Sequence, residues 1–97
     1  MRVKTVPNLQ IGVRMMHVHH LKAWPEFYQA LRSGRKTFEF RFDDRDYLAG
    51  DVLLIREFIP ETGNYTDSDL MAFDVLYVLE GDPLPQGYVI MSVKRIR

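Results

Sequence analysis

Apolar and polar residues alternate between Thr37 and Phe42, with the period of two that is typical of a β-strand. The three phenylalanines of this stretch would lie on one face of the strand, and its polar residues would lie on the other. The apolar set is Phe38, Phe40 and Phe42, and the polar set is Thr37, Glu39 and Arg41. We therefore predict a strand that buries its phenylalanines in the core.

The stretch before this strand predicts a helix. Pro25 stands at a favourable position in a first helical turn. Apolar residues then recur at three- and four-residue spacing through about Ser33, as on one face of a helix. Gly34 follows directly, where helices commonly end in a left-handed residue. The apolar stripe consists of Trp24, Phe27, Tyr28 and Leu31.

The rest of the chain predicts further strands separated by turns. Residues 43–46 are all polar, and residues 60–64 and 81–87 contain both glycine and proline, as is typical of turns. The predicted strands are Val13–Leu21, Val52–Ile59, Leu70–Leu79 and Tyr88–Ile96. One face of the first strand would carry Val13, Met15, His17 and His19. The residues expected in the core are Phe38, Phe40, Val52, Leu54, Val75, Tyr77, Val89 and Met91.

Short strands joined by tight turns, together with one helix, predict an α+β domain. About five to six mostly antiparallel strands would form a curled or closed sheet, a small β-barrel, with the N-terminal-half helix packed against it. Ninety-seven residues suffice for one domain with one core. Residues 1–15 are expected to form an N-terminal arm or an extra strand, and residues 16–97 the core domain.

Composition narrows the class of protein. The 46% hydrophobic and 27% charged content is ordinary for a folded domain. No apolar run approaches the roughly 20 residues of a membrane span, and the first residues lack the pattern of a secretory signal. The absence of cysteine excludes disulfides and thiolate metal sites. We therefore expect a cytoplasmic protein without membrane association.

The net charge of zero hides an asymmetry between the two halves of the chain. Residues 1–45 carry a net charge of +5, and residues 46–97 carry one of −5. Such a split can produce a basic face that suits a polyanion, or the halves can interleave so that their fields cancel. Tight non-specific binding to duplex DNA is disfavoured in both cases, because it needs a net basic footprint.

The polar face of the strand at residues 37–42 is the strongest candidate site. Residues two apart on a strand are about 6.6 Å apart, so Glu39 and Arg41 can pair or hold one ligand between them. Arginine suits planar acceptors, lysine suits phosphate, and glutamate accepts hydrogen bonds from amino groups. The predicted ligand-binding residues are Gly34, Lys36, Thr37, Glu39 and Arg41, with Lys22, Arg35 and Arg45 as supporting cations.

Two alternatives to a binding site stay open at this point. The polar face could be solvated and carry a surface ion pair of little energetic value. Lys36 or Glu39 could instead be catalytic, as a base, nucleophile or general acid, if burial altered its protonation.

The histidines and one tyrosine are secondary candidates. His17 and His19 could bind a metal, but such a site needs a third ligand that the sequence does not show. We expect no metal and no cofactor. Tyr65, in a predicted turn, is the best-placed exposed residue for stacking on a base, although a tyrosine packed on its own turn is the alternative.

The segment G-R-K-T-F-E-F-R, residues 34–41, resembles the Gly-x-Lys-x-x-Glu-x-Arg signature of ASCH domains, small β-barrels related to PUA RNA-binding domains. The resemblance extends over about residues 16–96. Over this length the sequence is similar to an ASCH-like subfamily of bacteria and phages. It implies a PUA-like barrel that binds RNA or nucleotides in a cleft lined by this motif. Carried onto this chain, the motif positions are Gly34, Lys36, Glu39 and Arg41.

One ASCH branch hydrolyses N4-acetylcytidine with a lysine at the place of Lys36, a threonine and a glutamate. Glu39 stands here at the place of that threonine, and the glutamate has no clear counterpart. The expected function is therefore binding of RNA or of a nucleotide. One alternative is an amidohydrolase acting on an N4-acylated cytidine-type nucleoside. Another is a phage or bacterial protein-interaction module that uses residues 1–12 or the hairpin at residues 62–67.

Overall fold

The structure is a computed structural model, and it describes residues 1–5 and 15–97. It confirms the predicted α+β class. The strands are β1 (Arg2–Val3), β2 (Val18–Ala23), β3 (Phe38–Phe42), β4 (Val52–Ile59), β5 (Asn64–Tyr65), β6 (Met71–Glu80) and β7 (Tyr88–Arg95), and the helix is α1 (Pro25–Arg32). Residues 13 and 14 of the first predicted strand lie outside the described residues, and β2 begins at Val18 rather than earlier.

All seven strands of the described chain belong to one mixed sheet. Its main path runs β2-β4-β6-β7-β3, and β1 pairs with β6 while β5 pairs with β4. β2 and β4 are parallel, and the other pairs are antiparallel. Within the described residues, β2 and β3 end the path and do not pair with each other, so the sheet is not closed and the predicted barrel is not confirmed.

Arginine side chains connect β2 to the β3 side of the sheet where backbone pairing is missing. Arg41 on β3 donates from Nη2 to the carbonyl of Lys22 at 2.6 Å. Arg45, just after β3, donates from Nη1 to the carbonyl of His20 at 3.1 Å. Carbonyls of alternate residues on a strand point to the same side. The two guanidinium groups therefore satisfy β2 along the edge that faces away from β4.

The predicted burial of the three phenylalanines of β3 is wrong. Phe38, Phe40 and Phe42 are 42%, 46% and 55% exposed, whereas Glu39 is only 4% exposed. In the register with β7, Glu39 lies opposite Met91, which is fully buried. A period of two separates the two faces of a strand but does not say which face the core will cover.

Some core residues were predicted correctly, and in β4 the predicted buried positions were wrong by one residue. Val75, Val89 and Met91 are buried as expected. In β4, Leu53 and Ile55 fill the core instead of Val52 and Leu54, because a continuous apolar run carries no alternation that marks the inner face. The core cluster is Leu21, Ala23, Tyr28, Leu31, Tyr47, Leu53, Ile55, Met71, Phe73, Val75, Val78, Val89, Met91 and Val93.

A β-bulge explains the remaining error in the core prediction. The register between β6 and β7 shifts between Val75 and Tyr77. An extra residue in one strand reverses the facing of every residue that follows it. Val75 and Val78 are therefore both buried, and Tyr77, which was predicted in the core, is exposed.

The helix forms where the sequence predicts it. Pro25 occupies its first turn, and Ser33 caps its end by donating a backbone hydrogen bond to the Gln29 carbonyl at 3.0 Å. Gly34 follows with φ of 79°, the left-handed conformation expected there. Of the predicted apolar stripe, Tyr28 and Leu31 are buried, whereas Trp24 and Phe27 are exposed. Among the described residues, no helix is long and apolar enough to cross a membrane.

The facing of β4 can be tested with two leucines that are neighbours in the chain. We expect Leu53→Ala to lower the free energy of unfolding by about 2–5 kcal/mol, because it opens a cavity in the core. Leu54→Ala, at a half-buried position, should cost clearly less. Urea denaturation of both variants measures the difference, and an equal or larger loss at Leu54 would contradict the assigned facing.

Candidate functional site

A buried carboxylate held by two cations forms the centre of the candidate site. Glu39 Oε1 accepts a hydrogen bond from Lys36 Nζ at 2.6 Å, and Glu39 Oε2 accepts one from Arg41 Nε at 2.6 Å. Lys36 Nζ also donates to the Phe38 carbonyl at 2.8 Å. We call Lys36, Glu39 and Arg41 the ionic cluster. It is not the solvated ion pair that the sequence left open, because Glu39 is buried.

Local backbone geometry brings these three side chains together. Glu39 and Arg41 lie two residues apart on β3 and therefore share its inner face. Lys36 precedes the strand, after the left-handed turn at Gly34, and its long side chain reaches the same carboxylate. Burying a carboxylate is costly unless its oxygens are satisfied, and here each oxygen receives a charge-assisted hydrogen bond. The cluster keeps one excess positive charge.

The ionic cluster lies in a cleft of about 450 Å³ between β2, β3 and the start of the helix. Trp24 and Phe27 are exposed there, with ring centroids 6.2 Å apart in a stacked arrangement. Lys36 Nζ lies 4.9 Å from the centroid of the Phe38 ring. The lining residues are Lys22, Ala23, Trp24, Phe27, Lys36, Phe38, Glu39, Phe40 and Arg41. Aromatic rings thus form the walls of the cleft beside the charged residues of the ionic cluster.

The cleft unites some of the predicted site residues and leaves others outside. Lys22, Lys36, Glu39 and Arg41 line it. The aromatic walls were missed as functional residues, because the sequence interpretation placed Trp24, Phe27, Phe38 and Phe40 in the helix stripe or the strand core. The exposure of Phe38 and Phe40 could have been predicted only by recognising that Glu39, their neighbour on β3, faces inward.

Four predicted residues have structural positions away from the lining of the cleft. Gly34 ends the helix, and Thr37 accepts a backbone hydrogen bond from Val93 at 3.1 Å. Arg35 donates from Nε to the Ser33 hydroxyl at 2.9 Å. Arg45 contacts β2 through the His20 carbonyl. Their expected contacts with a ligand stay predictions.

His17 and His19 approach a residue that the sequence interpretation did not connect with them. His19 Nε2 lies 2.9 Å from Asp51 Oδ2, and possible ligand atoms of His17, His19 and Asp51 all lie within 4.8 Å of one another. Asp51 also accepts backbone hydrogen bonds from Leu48 at 3.1 Å and from His17 at 3.2 Å. These bonds tie the turn before β4 to the beginning of β2. The expectation of no metal stays a prediction.

A second buried carboxylate, Glu57 on β4, was also missed. It accepts hydrogen bonds from Gln29 Nε2 at 3.2 Å, Thr66 Oγ1 at 2.8 Å and Ser68 Oγ at 2.7 Å. Burial favours the neutral acid, but these three hydrogen bonds and the charge of Arg32 outweigh it and hold the pKa of Glu57 below its ordinary value. The carboxylate joins the helix to the segment after β5.

Comparison with known proteins places the chain in a family. Residues 18–93 match the family described as "Domain of unknown function (DUF3850)", and the chain belongs to it. It is also 33% identical over 45 residues to a protein of Escherichia phage P2 described as "Uncharacterized 12.9 kDa protein in GpA 3'region". This match covers 46% of the chain and 41% of the phage protein, so the chain spans about two-fifths of that relative's length. The similarity supports the expected relation to phage proteins.

Removing the charge of Glu39 should destabilise the protein. Glu39→Gln leaves Lys36 and Arg41 together without their anion, and we expect the free energy of unfolding to fall by about 1–3 kcal/mol. Glu80→Gln is the matched control, because Glu80 forms a longer, more exposed pair with Arg2, and such pairs contribute at most about 1 kcal/mol. Equal losses in urea denaturation of the two variants would contradict a structural role for the ionic cluster.

The hydrogen-bonded carboxylate of Glu57 should make the free energy of unfolding depend on pH. The folded-state pKa of Glu57 lies below the ordinary value of 4.5. The ionised carboxylate therefore stabilises the fold at pH values above 4.5. This contribution is lost as the pH falls through the folded-state pKa. We expect the unfolding free energy of wild type to decrease more steeply than that of Glu57→Gln on acidification below about pH 4.5. Glu61→Gln, at an exposed position, should follow wild type, and parallel curves for Glu57→Gln and wild type would refute the prediction.

Proposed function

We propose that this member of the DUF3850 family binds RNA or a nucleotide in the cleft between β2 and β3. One observation carries the proposal. The buried Glu39 carboxylate, held by Lys36 and Arg41, lies at the base of a cleft whose walls include exposed aromatic rings. A nucleotide combines a planar base, polar base edges and a phosphate, and the cleft offers a group for each of them.

Each class of group in the cleft has a defined task in this proposal. Exposed aromatic rings stack on bases irrespective of sequence, and Trp24 and Phe40 are such rings on its walls. A carboxylate accepts hydrogen bonds from the amino group of a base, as glutamate does with cytosine. Lys36 and Arg41 supply cations for a phosphate or for an acceptor on the base edge. The volume of about 450 Å³ lies within the range typical of small-ligand sites.

The local charge is consistent with an anionic ligand of limited size. Lys22, Lys36 and Arg41 face the cleft together with a single carboxylate, Glu39. The protein as a whole is neutral, which favours a short single strand or a nucleotide over a long duplex. The resemblance of residues 34–41 to the ASCH signature supports the same assignment, since that signature implies a nucleotide-binding cleft and a PUA-like barrel.

Fluorescence anisotropy with a labelled single-stranded RNA at two salt concentrations tests the proposal. Lys36→Ala should weaken binding about tenfold and reduce the slope of log affinity against log salt by about 1, because one phosphate contact is lost. Lys94→Ala removes an exposed lysine of β7 that does not line the cleft, and it should bind like wild type. Cooperative urea denaturation checks that both variants are folded.

Two results would contradict binding in the cleft, and a third would assign the cleft a different function. If wild-type protein does not bind RNA or a nucleoside monophosphate, or if Lys36→Ala and Lys94→Ala bind alike, the cleft is not the binding site. Hydrolysis of N4-acetylcytidine by wild type but not by Lys36→Ala would assign the cleft to the amidohydrolase alternative instead.

A further inference from the structure

A second cluster of cations and aromatic rings adjoins the cleft on the side of the β4–β5 hairpin. It consists of Lys22, Arg56, Phe58 and Tyr65, and we call it the hairpin patch. The guanidinium carbon of Arg56 lies 3.7 Å from the centroid of the Tyr65 ring. Lys22 Nζ lies 4.4 Å from the centroid of the Phe58 ring and 5.9 Å from that of Tyr65. None of these four residues is buried.

Strand register holds the hairpin patch together. Lys22 on β2 lies opposite Arg56 on β4, and Phe58 on β4 lies opposite Tyr65 on β5. The Phe58 and Tyr65 rings meet edge to face, with centroids 5.3 Å apart. Tyr65 is therefore positioned by Arg56 and Phe58 before any ligand arrives, while 41% of its surface stays exposed. A preordered aromatic ring loses little entropy when a ligand stacks on it.

Lys22 belongs to both the cleft and the hairpin patch. Its carbonyl accepts the hydrogen bond from Arg41 of the ionic cluster at 2.6 Å, and its side chain lines the cleft. Its ammonium group lies over the Phe58 ring of the hairpin patch. One cation thus stands between two groups of aromatic rings. Alternating cations and aromatic rings are the arrangement by which proteins hold single-stranded nucleic acids.

We propose that the cleft binds one nucleotide of a single-stranded oligonucleotide, and that the neighbouring base stacks on the Arg56–Tyr65 pair with the intervening phosphate at Lys22. This inference rests on the proposed function of the cleft and adds a second subsite to it. The guanidinium group of Arg56 lies over the Tyr65 ring, and the base stacks on the outer surface of this exposed pair. The natural ligand is then an RNA segment of at least two nucleotides, and a free nucleotide fills only half of the site.

The length dependence of binding tests this inference. Cytidine monophosphate and oligocytidylates of two to six nucleotides compete with a labelled oligocytidylate hexamer for wild type and for Tyr65→Leu. Wild type should bind the dinucleotide at least about tenfold more tightly than the mononucleotide, since stacking of one further base contributes that much. Tyr65→Leu should bind the mononucleotide like wild type and lose the gain with length.

Two further variants separate stacking from a structural role of the tyrosine. Tyr65→Phe retains the ring and should keep the gain with length. Tyr77→Leu removes a tyrosine of similar exposure, 49% against 41%, that does not line the cleft, and it should behave like wild type. A gain that disappears in Tyr65→Leu and persists in both other variants supports the second subsite.

The outcomes distinguish failure of the subsite from failure of the cleft. If wild type binds the mononucleotide and the oligomers equally, or if Tyr65→Leu retains the gain with length, the second subsite is refuted while binding in the cleft stands. A loss of mononucleotide affinity in Tyr65→Leu equal to its loss for oligomers also refutes it. If neither the hexamer nor the mononucleotide binds wild type, the proposed function fails and the subsite fails with it.

Discussion

The arrangement of the site depends on the pairing of the inward-facing Glu39 carboxylate with Lys36 and Arg41. The carboxylate needs Lys36 and Arg41 to compensate for its burial. Once it faces inward, the alternation of β3 directs Phe38, Phe40 and Phe42 outward. Arg41 is held by the same carboxylate and reaches the Lys22 carbonyl. One buried charge thus sets the facing of the strand, the exposure of its aromatic rings and the link to β2.

This link leaves a cleft on the open side of the sheet. Pairing between two strand edges would bring the backbones to about 4.8 Å from each other, whereas side-chain bridges from Arg41 and Arg45 leave room between β2 and β3. The cleft occupies this region, with ionic groups at its base and planar apolar groups on its walls. The residues that satisfy the edge of β2 are therefore the same kind of residue that would bind an anionic ligand.

The sequence predicted the elements better than the faces they present. The helix and β4 begin at the predicted residues, because proline, glycine and turn residues act locally. Val52, Leu54 and Tyr77 were wrongly placed in the core, since the facing of an unbroken apolar run and the position of a bulge both depend on pairing with distant strands. Spacing along the strand predicted that Glu39 and Arg41 can pair, and Lys36 was predicted to bind the same ligand. Phe38 and Phe40 were missed as walls of the cleft because phenylalanine is usually buried, and the compensated burial of Glu39 reverses that expectation on β3.

The position of β3 in the sheet has a consequence for the order in which the protein can mature during synthesis. In the described chain β3 pairs with β7 alone, although about 45 residues separate the two strands. A nascent chain that has been translated through β6 already contains every ionic residue of the cleft. It still lacks the strand against which β3 aligns, so β3 and its ionic residues cannot acquire their final geometry before β7 has been synthesised.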